Sequence, residues 1–323
     1  MNVLIVGAGS VGKRHMKNAA SLGHSVSVVD PRADRLDECD IAVDRFGSLD
    51  DALQKEWNGV VICSPPNFHI DQLLACQSLG IPLLVEKPLS NSLKAALDAW
   101  PMENVLLGYT YRWWEPILYF KEILFSKSMG NILNVRCCMA AHLADWHPWE
   151  HYTDFFMSHK HMGGGALLDE SHILDLILWL FGRPNYVSAT VTKLSSLRIT
   201  TDDNVEICME YENWTSPKMF ITVHLDLFSR PHKKEIIAIG ENGTAEWLYD
   251  SVTLSSDPRK NREFKTDRNE MFMGVMNDYI QLLEGQCDIK CSYEDGCNVL
   301  KLISEIQQSS DEKRSVKCEP LAL

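Results

Sequence analysis

Residues 1–30 read MNVLIVGAGSVGKRHMKNAASLGHSVSVVD. Val3, Leu4, Ile5 and Val6 form an apolar run, and Gly7-Ala8-Gly9-Ser10-Val11-Gly12 follows it without a break. A helix-compatible segment covers 13–22, and after Gly23 a second apolar run, 26–29, ends in Asp30. The order is strand, glycine turn, helix, strand, acid. Each part suits a dinucleotide. Gly7 permits the tight turn, Gly9 presents no side chain to a pyrophosphate, and Gly12 lets helix and strand pack closely. Free N–H groups at the helix start face the phosphates. Asp30 stands about 20 residues beyond the glycines, where a carboxylate accepts from the ribose hydroxyls and repels a 2′-phosphate. The expected cofactor is NAD rather than NADP. Arg32 and Arg35 weaken that preference without reversing it.

The same texture continues outward to about residue 110. Strands are expected at 59–63, 81–85 and 105–107, and helices at 49–54, 68–79 and 90–100. This alternation predicts a doubly wound parallel sheet of Rossmann type. Such sheets bind ligands at the carboxyl ends of their strands, where Ser64 to Asn67 and Glu86-Lys87-Pro88 also fall. Beyond residue 131 strands follow one another with few helices: 132–140, 186–193, 205–210, 218–227, 234–239 and 244–248. Helices at 269–283 and 294–308 close the chain. The fold class is α/β: a nucleotide-binding domain over 1–115, then an α+β domain over 116–323 with a large, open, mainly antiparallel sheet.

Composition limits what the chain does. Its 323 residues suit two domains, and 45% hydrophobic with 23% charged residues is ordinary for a globular protein. A net charge of −13 disfavours nucleic acid as a partner. No apolar run reaches the ~20 residues of a membrane helix. Ten cysteines without a CxxC pair, and no leader before the first strand, predict reduced thiols and a cytoplasmic protein. Cys137 and Cys138 are adjacent in a strand and should point to opposite faces.

Two positions stand out as chemistry. Lys87 follows a buried strand, between an acid and a proline that biases it toward an extended conformation. Lysine is most often a solvated surface residue, and spacing alone leaves both readings open. His172 opens an apolar helix that ends at Gly182. At a spacing of three, Asp169, His172 and Asp175 would share one helical side. A histidine flanked by carboxylates can take a proton near neutral pH, and a structural histidine beside capping acids has the same pattern. A third stretch carries His142, His147, His151, His159 and His161, with Asp145, Glu150 and Asp154. It has a proline and no fixed ligand spacing, so no metal is expected. Its Trp146, Trp149, Tyr152 and Phe155 suit either the C–H faces of a sugar or core packing.

Taken together, the Gly7 to Gly12 turn, Ser64-Pro65-Pro66-Asn67-Phe68-His69, Glu86-Lys87-Pro88 and residues 163–175 resemble, in order and spacing, the glucose–fructose oxidoreductase/inositol dehydrogenase (Gfo/Idh/MocA) family. The resemblance implies hydride transfer between NAD and a ring hydroxyl carbon of a sugar, sugar derivative or cyclitol. It implies Lys87 against substrate and nicotinamide, His172 as general base, and Asp169 beside it. Many members carry the Asp four residues before this His, where this chain has Leu168. Cofactor contacts implied by the matching motifs are Gly7, Gly9, Ser10, Val11, Gly12, Asp30 and Arg35, with Ser64, Pro65, Asn67, His69, Glu86 and Lys87 from the later turns. The run Asp145-Trp146-His147-Pro148-Trp149 looks like members from bacterial surface-polysaccharide gene sets. It implies an amino or deoxy sugar, with nucleotide-linked sugars included. Arg112 and Arg136 are the expected cations for an anionic group. The family also implies a homodimer or homotetramer through the second sheet. The alternatives are an enzyme that oxidises its substrate only transiently, or a nucleotide-binding regulator without catalysis.

Overall fold

The computed structural model describes residues 1–126, 128–146, 151–212 and 218–321. They form two compact units: Met1–Trp113 with Arg268–Leu300, and Trp114–Asp267 with Lys301–Leu323. The expected single cut at residue 115 differs from this division, in which the first unit stops at Trp113. Residues 268–300 return to the first unit.

In the first unit the chain runs β1 (Asn2–Val6), α1 (Ser10–Ser21), β2 (Ser25–Val29), α2 (Ala33–Asp37), β3 (Arg45–Phe46), α3 (Leu49–Ala52), β4 (Gly59–Ile62), α4 (His69–Gln77), β5 (Leu83–Glu86), α5 (Leu93–Asp98) and β6 (Val105–Gly108). Strand order is β3-β2-β1-β4-β5-β6, all parallel. The order reverses between β1 and β4, and such a switch point opens a crevice at the carboxyl ends of the strands. Val3, Leu4, Ile5, Val60, Val61 and Ile62 are fully buried, as continuous apolar strands covered on both faces should be.

The second unit begins with α6 (Glu115–Leu124) and continues with β7 (Ile132–Ala140), α7 (Ala166–Asp169), α8 (His172–Phe181), β8 (Tyr186–Thr192), β9 (Asn204–Tyr211), β10 (Met219–Asp226), β11 (Lys233–Gly240), β12 (Thr244–Trp247), β13 (Ser251–Leu254) and β14 (Arg262–Glu263). Helix α9 (Asn269–Leu283) belongs to the first unit. Helix α10 (Tyr293–Glu312) begins there and ends in the second, where β15 (Val316–Lys317) completes the sheet. The nine-stranded order is β14-β13-β12-β11-β7-β10-β9-β8-β15. Within this sheet only β7 and β10 pair in parallel among the described strands, so the open, mainly antiparallel sheet is as expected. Along β10, Met219, Ile221, Val223 and Leu225 are buried, whereas Phe220 and Thr222 are exposed and His224 half-buried. One face is thus core and the other is open. Cys137 is buried and Cys138 half-exposed, which is the predicted alternation.

Within the first unit, α9 braces the nucleotide-type sheet. Asn269 Nδ2 donates to Asn18 Oδ1 of α1 at 2.9 Å. The Tyr279 hydroxyl accepts from the Val60 N–H at 2.7 Å, and lies 2.9 Å from the Val60 and Pro82 carbonyl oxygens, one of which takes its proton. A Cβ on Gly59 would stand 2.7 Å from that hydroxyl, so the glycine makes this approach possible.

Candidate functional site

The glycine turn is shaped by contacts that only glycine tolerates. Gly7 has φ +102°, and a Cβ there would lie 2.9 Å from the backbone of Cys63 and Ser64. A Cβ on Gly12 would lie 1.8 Å from the Gly7 carbonyl oxygen. Gly9 differs. Its nearest foreign atom is Arg35 Nη1 at 3.9 Å, so a side chain is excluded by nothing in the protein itself. Gly9 is also the N-cap of α1, and no side chain caps that helix. The N–H groups of Ser10, Val11 and Gly12, at the positive end of the helix dipole, therefore have neither an intrahelical nor a side-chain capping partner. This is a cradle that a Cβ would fill, and it fits a pyrophosphate.

Asp30 directly follows β2 and is 4% exposed. Its Oδ2 accepts from Ala8 N–H at 2.8 Å and its Oδ1 from Arg32 N–H at 2.9 Å. The carboxylate is thus locked to the turn itself, with one lone pair on each oxygen left for ribose hydroxyls. Arg35 Nη1 stands 3.9 Å from Oδ2, close enough to both Gly9 and Asp30 to border the same cradle. In the turn after β4, Ser64 Oγ donates to Gln72 at 2.6 Å and Pro65 leads into a single 3₁₀ turn. Asn67 Oδ1 is buried without a hydrogen-bond partner among the described residues. An orphaned acceptor beside the strand ends is what a ligand's donor would satisfy.

His69 departs from expectation. It is read from the motif as a cofactor contact, but its ring is fully buried. Nδ1 lies 2.9 Å from the Pro88 carbonyl oxygen and Nε2 2.7 Å from that of Ser64. Burial pushes its pKa down, against the two carbonyls and the Glu86 carboxylate, which favour the charged form. His69 ties the turn after β4 to the turn after β5, a positioning role rather than a lining one. Glu86 is likewise turned inward, 7% exposed, with Oε1 2.6 Å from His15 Nε2. Lys87 is half-buried between buried Glu86 and Pro88, and the Lys87–Pro88 peptide is cis.

In the second unit, His172 is the first residue of α8 and half-buried. The turn that delivers it is again built on glycines. A Cβ on Gly164 would lie 2.2 Å from the Met157 carbonyl oxygen, and one on Gly165, at φ +114°, 2.4 Å from Asp202 Oδ1. Asp202 Oδ2 accepts from Leu167 N–H at 2.9 Å, and burial raises its pKa against that hydrogen bond. The expectation of one continuous helical side is corrected here. Helix α7 ends at Asp169 and α8 starts at His172, with Glu170 and Ser171 breaking the helix between them. His172 and Asp175 share a helix; Asp169 does not. Asp169 and Asp175 are both buried. So is Glu170, which turns toward Lys234 Nζ on β11 at 3.8 Å.

Other expected contributors lie elsewhere. Arg112 is buried, with Nη1 donating to the Lys290 carbonyl oxygen at 3.0 Å and Nη2 3.2 Å from Asp295. It is a structural cation of the first unit. Arg136 stands on the open face of β7. Phe155 is core at 7% exposure, and Asp145 forms a bidentate pair with Arg230 at 2.6 and 2.8 Å. His147, Trp149 and Glu150 lie outside the described residues. Among the described residues no three His, Cys, Asp or Glu side chains stand together as a metal site. His15 escaped the sequence reading. Its signal was a polar ring on the side of α1 that also carries Gly12 and Ala19, the face that packs on the sheet.

A model of an oxidoreductase family with an NAD-binding Rossmann fold matches residues 1–104. A model of the GFO/IDH/MocA C-terminal domain matches residues 117–246. The rhizopine catabolism protein MocA of Rhizobium meliloti is 28% identical over 189 residues, 55% of this chain and 56% of that one. Inositol 2-dehydrogenase of Leifsonia xyli subsp. xyli is 30% identical over 198 residues, 57% of this chain and 54% of that one. The match thus spans about half the length of these curated relatives. In fold, the chain is similar to the WlbA dehydrogenase from Bordetella pertussis, solved in complex with NADH and UDP-GlcNAcA. The TM-score is 0.81 at 19% identity, over 99% of each chain. With one family model on the glycine cradle and its companion on the His172 segment and the open sheet, the chain belongs to the GFO/IDH/MocA family of oxidoreductases.

Proposed function

We propose that the protein is an NAD-dependent oxidoreductase that transfers hydride between nicotinamide and a ring hydroxyl carbon of a sugar, sugar derivative or cyclitol. The observation that carries this reading is the uncapped start of α1 above Gly9, with the Asp30 carboxylate locked at its border. NAD, when bound, supplies the hydride-accepting ring. Ser10, Val11 and Gly12 hold the pyrophosphate through backbone N–H groups, and Asp30 takes the ribose hydroxyls. The Lys87 ammonium donates to the reacting hydroxyl oxygen and favours the negative charge that develops on it. His172 accepts the hydroxyl proton as the C–H bond gives up its electron pair. Asp169 has the orienting role, from the end of α7 rather than from the helix of His172.

The related proteins narrow the substrate. An inositol dehydrogenase and a dehydrogenase solved with a UDP-linked sugar acid both support a polyhydroxylated ring. Nucleotide-linked amino sugars are included in the proposal. We further propose a homodimer or homotetramer assembled by a second copy on the open face of the nine-stranded sheet, where Phe220 is 38% exposed. The ten free cysteines support a cytoplasmic setting, and among the described residues no helix is long and apolar enough to cross a membrane. The test is NADH formation from NAD with a panel of sugars, cyclitols including inositol, and UDP-linked sugar acids. Turnover with at least one is expected. NADH binding without turnover on any member would favour a cofactor-binding regulator.

A further inference from the structure

Glu86 is a buried carboxylate at the end of a central strand, a costly placement unless both oxygens are engaged. Both are. Oε1 lies 2.6 Å from His15 Nε2, and Oε2 accepts from the Lys87 backbone N–H at 3.3 Å. The surroundings are cut to fit this carboxylate. A Cβ on Gly108 of the neighbouring strand β6 would stand 3.0 Å from Oε1 and 3.2 Å from Oε2. His15 is fully buried, and its ring meets Phe272 of α9 edge-on at 5.8 Å and 69°, so it has no room to swing away. Its Nδ1 has no hydrogen-bond partner among the described residues. The tautomer that donates from Nε2 to Glu86 leaves only a lone pair orphaned, a smaller loss than an orphaned N–H.

We infer that His15 and Glu86 form a positioning pair that sets the stance of Lys87 relative to the cofactor helix. The inference rests on the reading of Lys87 as the cation that meets nicotinamide and substrate. His15 sits on α1, whose first N–H groups form the phosphate cradle, and Glu86 passes the position of that helix to the Lys87 amide. His69 holds the other side of the same turn through the Pro88 carbonyl. Residues 71 positions apart in the chain are thereby fixed to one another, so the binding end of α1 and the lysine move as one body. Neither side chain reaches the reactants; both act through Lys87. A displacement of about 1 Å in a positioned group costs about 100-fold in rate, so the pair is felt in turnover more than in cofactor affinity.

The experiment uses the full chain and four variants: Glu86→Gln, His15→Ala, His15→Gln and the double variant His15→Ala/Glu86→Gln. Crystal structures with NADH are the first readout. Lys87 Nζ is expected to shift by about 1 Å or more in Glu86→Gln and His15→Ala while the remainder of the sheet superimposes. With a substrate from the panel above, both variants should lose about 10- to 100-fold in kcat. NADH affinity, followed by fluorescence, should change only a few-fold. The double variant should be no worse than the worse single one, and His15→Gln, which keeps a donor, should recover part of the loss. Superimposable Lys87 side chains in all structures, or fully additive losses in the double variant, would overturn the inference. A Lys87→Ala variant separates the two levels. If it turns over at the wild-type rate, the reading of Lys87 has failed, and the NADH-bound structures still show whether the pair governs residue 87.

Discussion

Gly9→Ala separates a cradle shaped for the protein from one shaped for a ligand. Around Gly12 the protein itself forbids a methyl. The added carbon would sit 1.8 Å from the Gly7 carbonyl oxygen, and reaching even 3.0 Å requires α1 to retreat by about 1.2 Å. Overpacking of that kind costs about 1–3 kcal/mol, so Gly12→Ala should destabilise the fold. At Gly9 nothing stands nearer than 3.9 Å, and its φ of −71° with ψ −174° suits alanine. As an N-cap, alanine is poorer than glycine by at most about 1 kcal/mol. The fold should therefore be nearly indifferent to Gly9→Ala, whereas the new methyl occupies the space over the helix start. If it displaces a pyrophosphate from two backbone N–H groups, each charge-assisted bond is worth about 1.5–3 kcal/mol. The combined loss corresponds to roughly 10²–10⁴ in NADH affinity. Urea unfolding and NADH fluorescence titration, run on both variants, measure the two effects separately. A Gly9→Ala protein that binds NADH like the wild type would refute the placement of the pyrophosphate.

Three further outcomes follow from the same geometry. Asp30→Ser should weaken NADH and strengthen NADPH, moving their affinity ratio by about 10-fold or more, because Arg35 then borders the ribose edge without its carboxylate; titrations with both cofactors check this. Tyr279→Phe leaves the Val60 N–H buried and unpaired, and should cost about 1–3 kcal/mol in urea unfolding with little change in NADH affinity. Burial pulls the His224 pKa down, but the hydrogen bonds its ring donates to Asp226 and Glu206 at 2.9 and 2.6 Å outweigh it and hold the pKa above its usual value. The bonded imidazolium therefore stabilises the fold fully below a pH of about 6.5, and this contribution fades as pH rises through the raised pKa. Unfolding midpoints across that range should fall less steeply in His224→Gln than in the wild type.

Much of this fold is local and therefore visible in the chain. The Val3 to Gly12 run, the alternation of β10 and the 3.6-residue pattern of α9 each encode their element within one short window, and β7 and α9 begin and end at the expected residues. Helix α6 went unread. Its start, Trp114-Glu115-Pro116, has proline at the first helical turn, a real start signal, but the aromatic cluster before it resembled a linker. Strands β3, β14 and β15 have two residues each and leave no periodicity to detect. The return of 268–300 to the first unit comes from α9 packing on α1, which no local pattern records. The site shows the same division. The glycines and the Glu-Lys-Pro turn announce themselves, but the His15–Glu86 contact joins residues far apart in sequence. At the break between Asp169 and His172, Glu170 turns toward Lys234 of β11, a partner far away in sequence. Three-residue spacing could not reveal it.

The most direct test of the central claim is the turnover of His172→Ala with a substrate that yields NADH, measured beside its affinity for NADH. A general base contributes about 10²–10⁴ to rate. A fall of that size in kcat is expected, with NADH bound as tightly as by the wild type because every residue assigned to the cofactor lies in the first unit and His172 in the second. Wild-type turnover by the His172→Ala protein would contradict it.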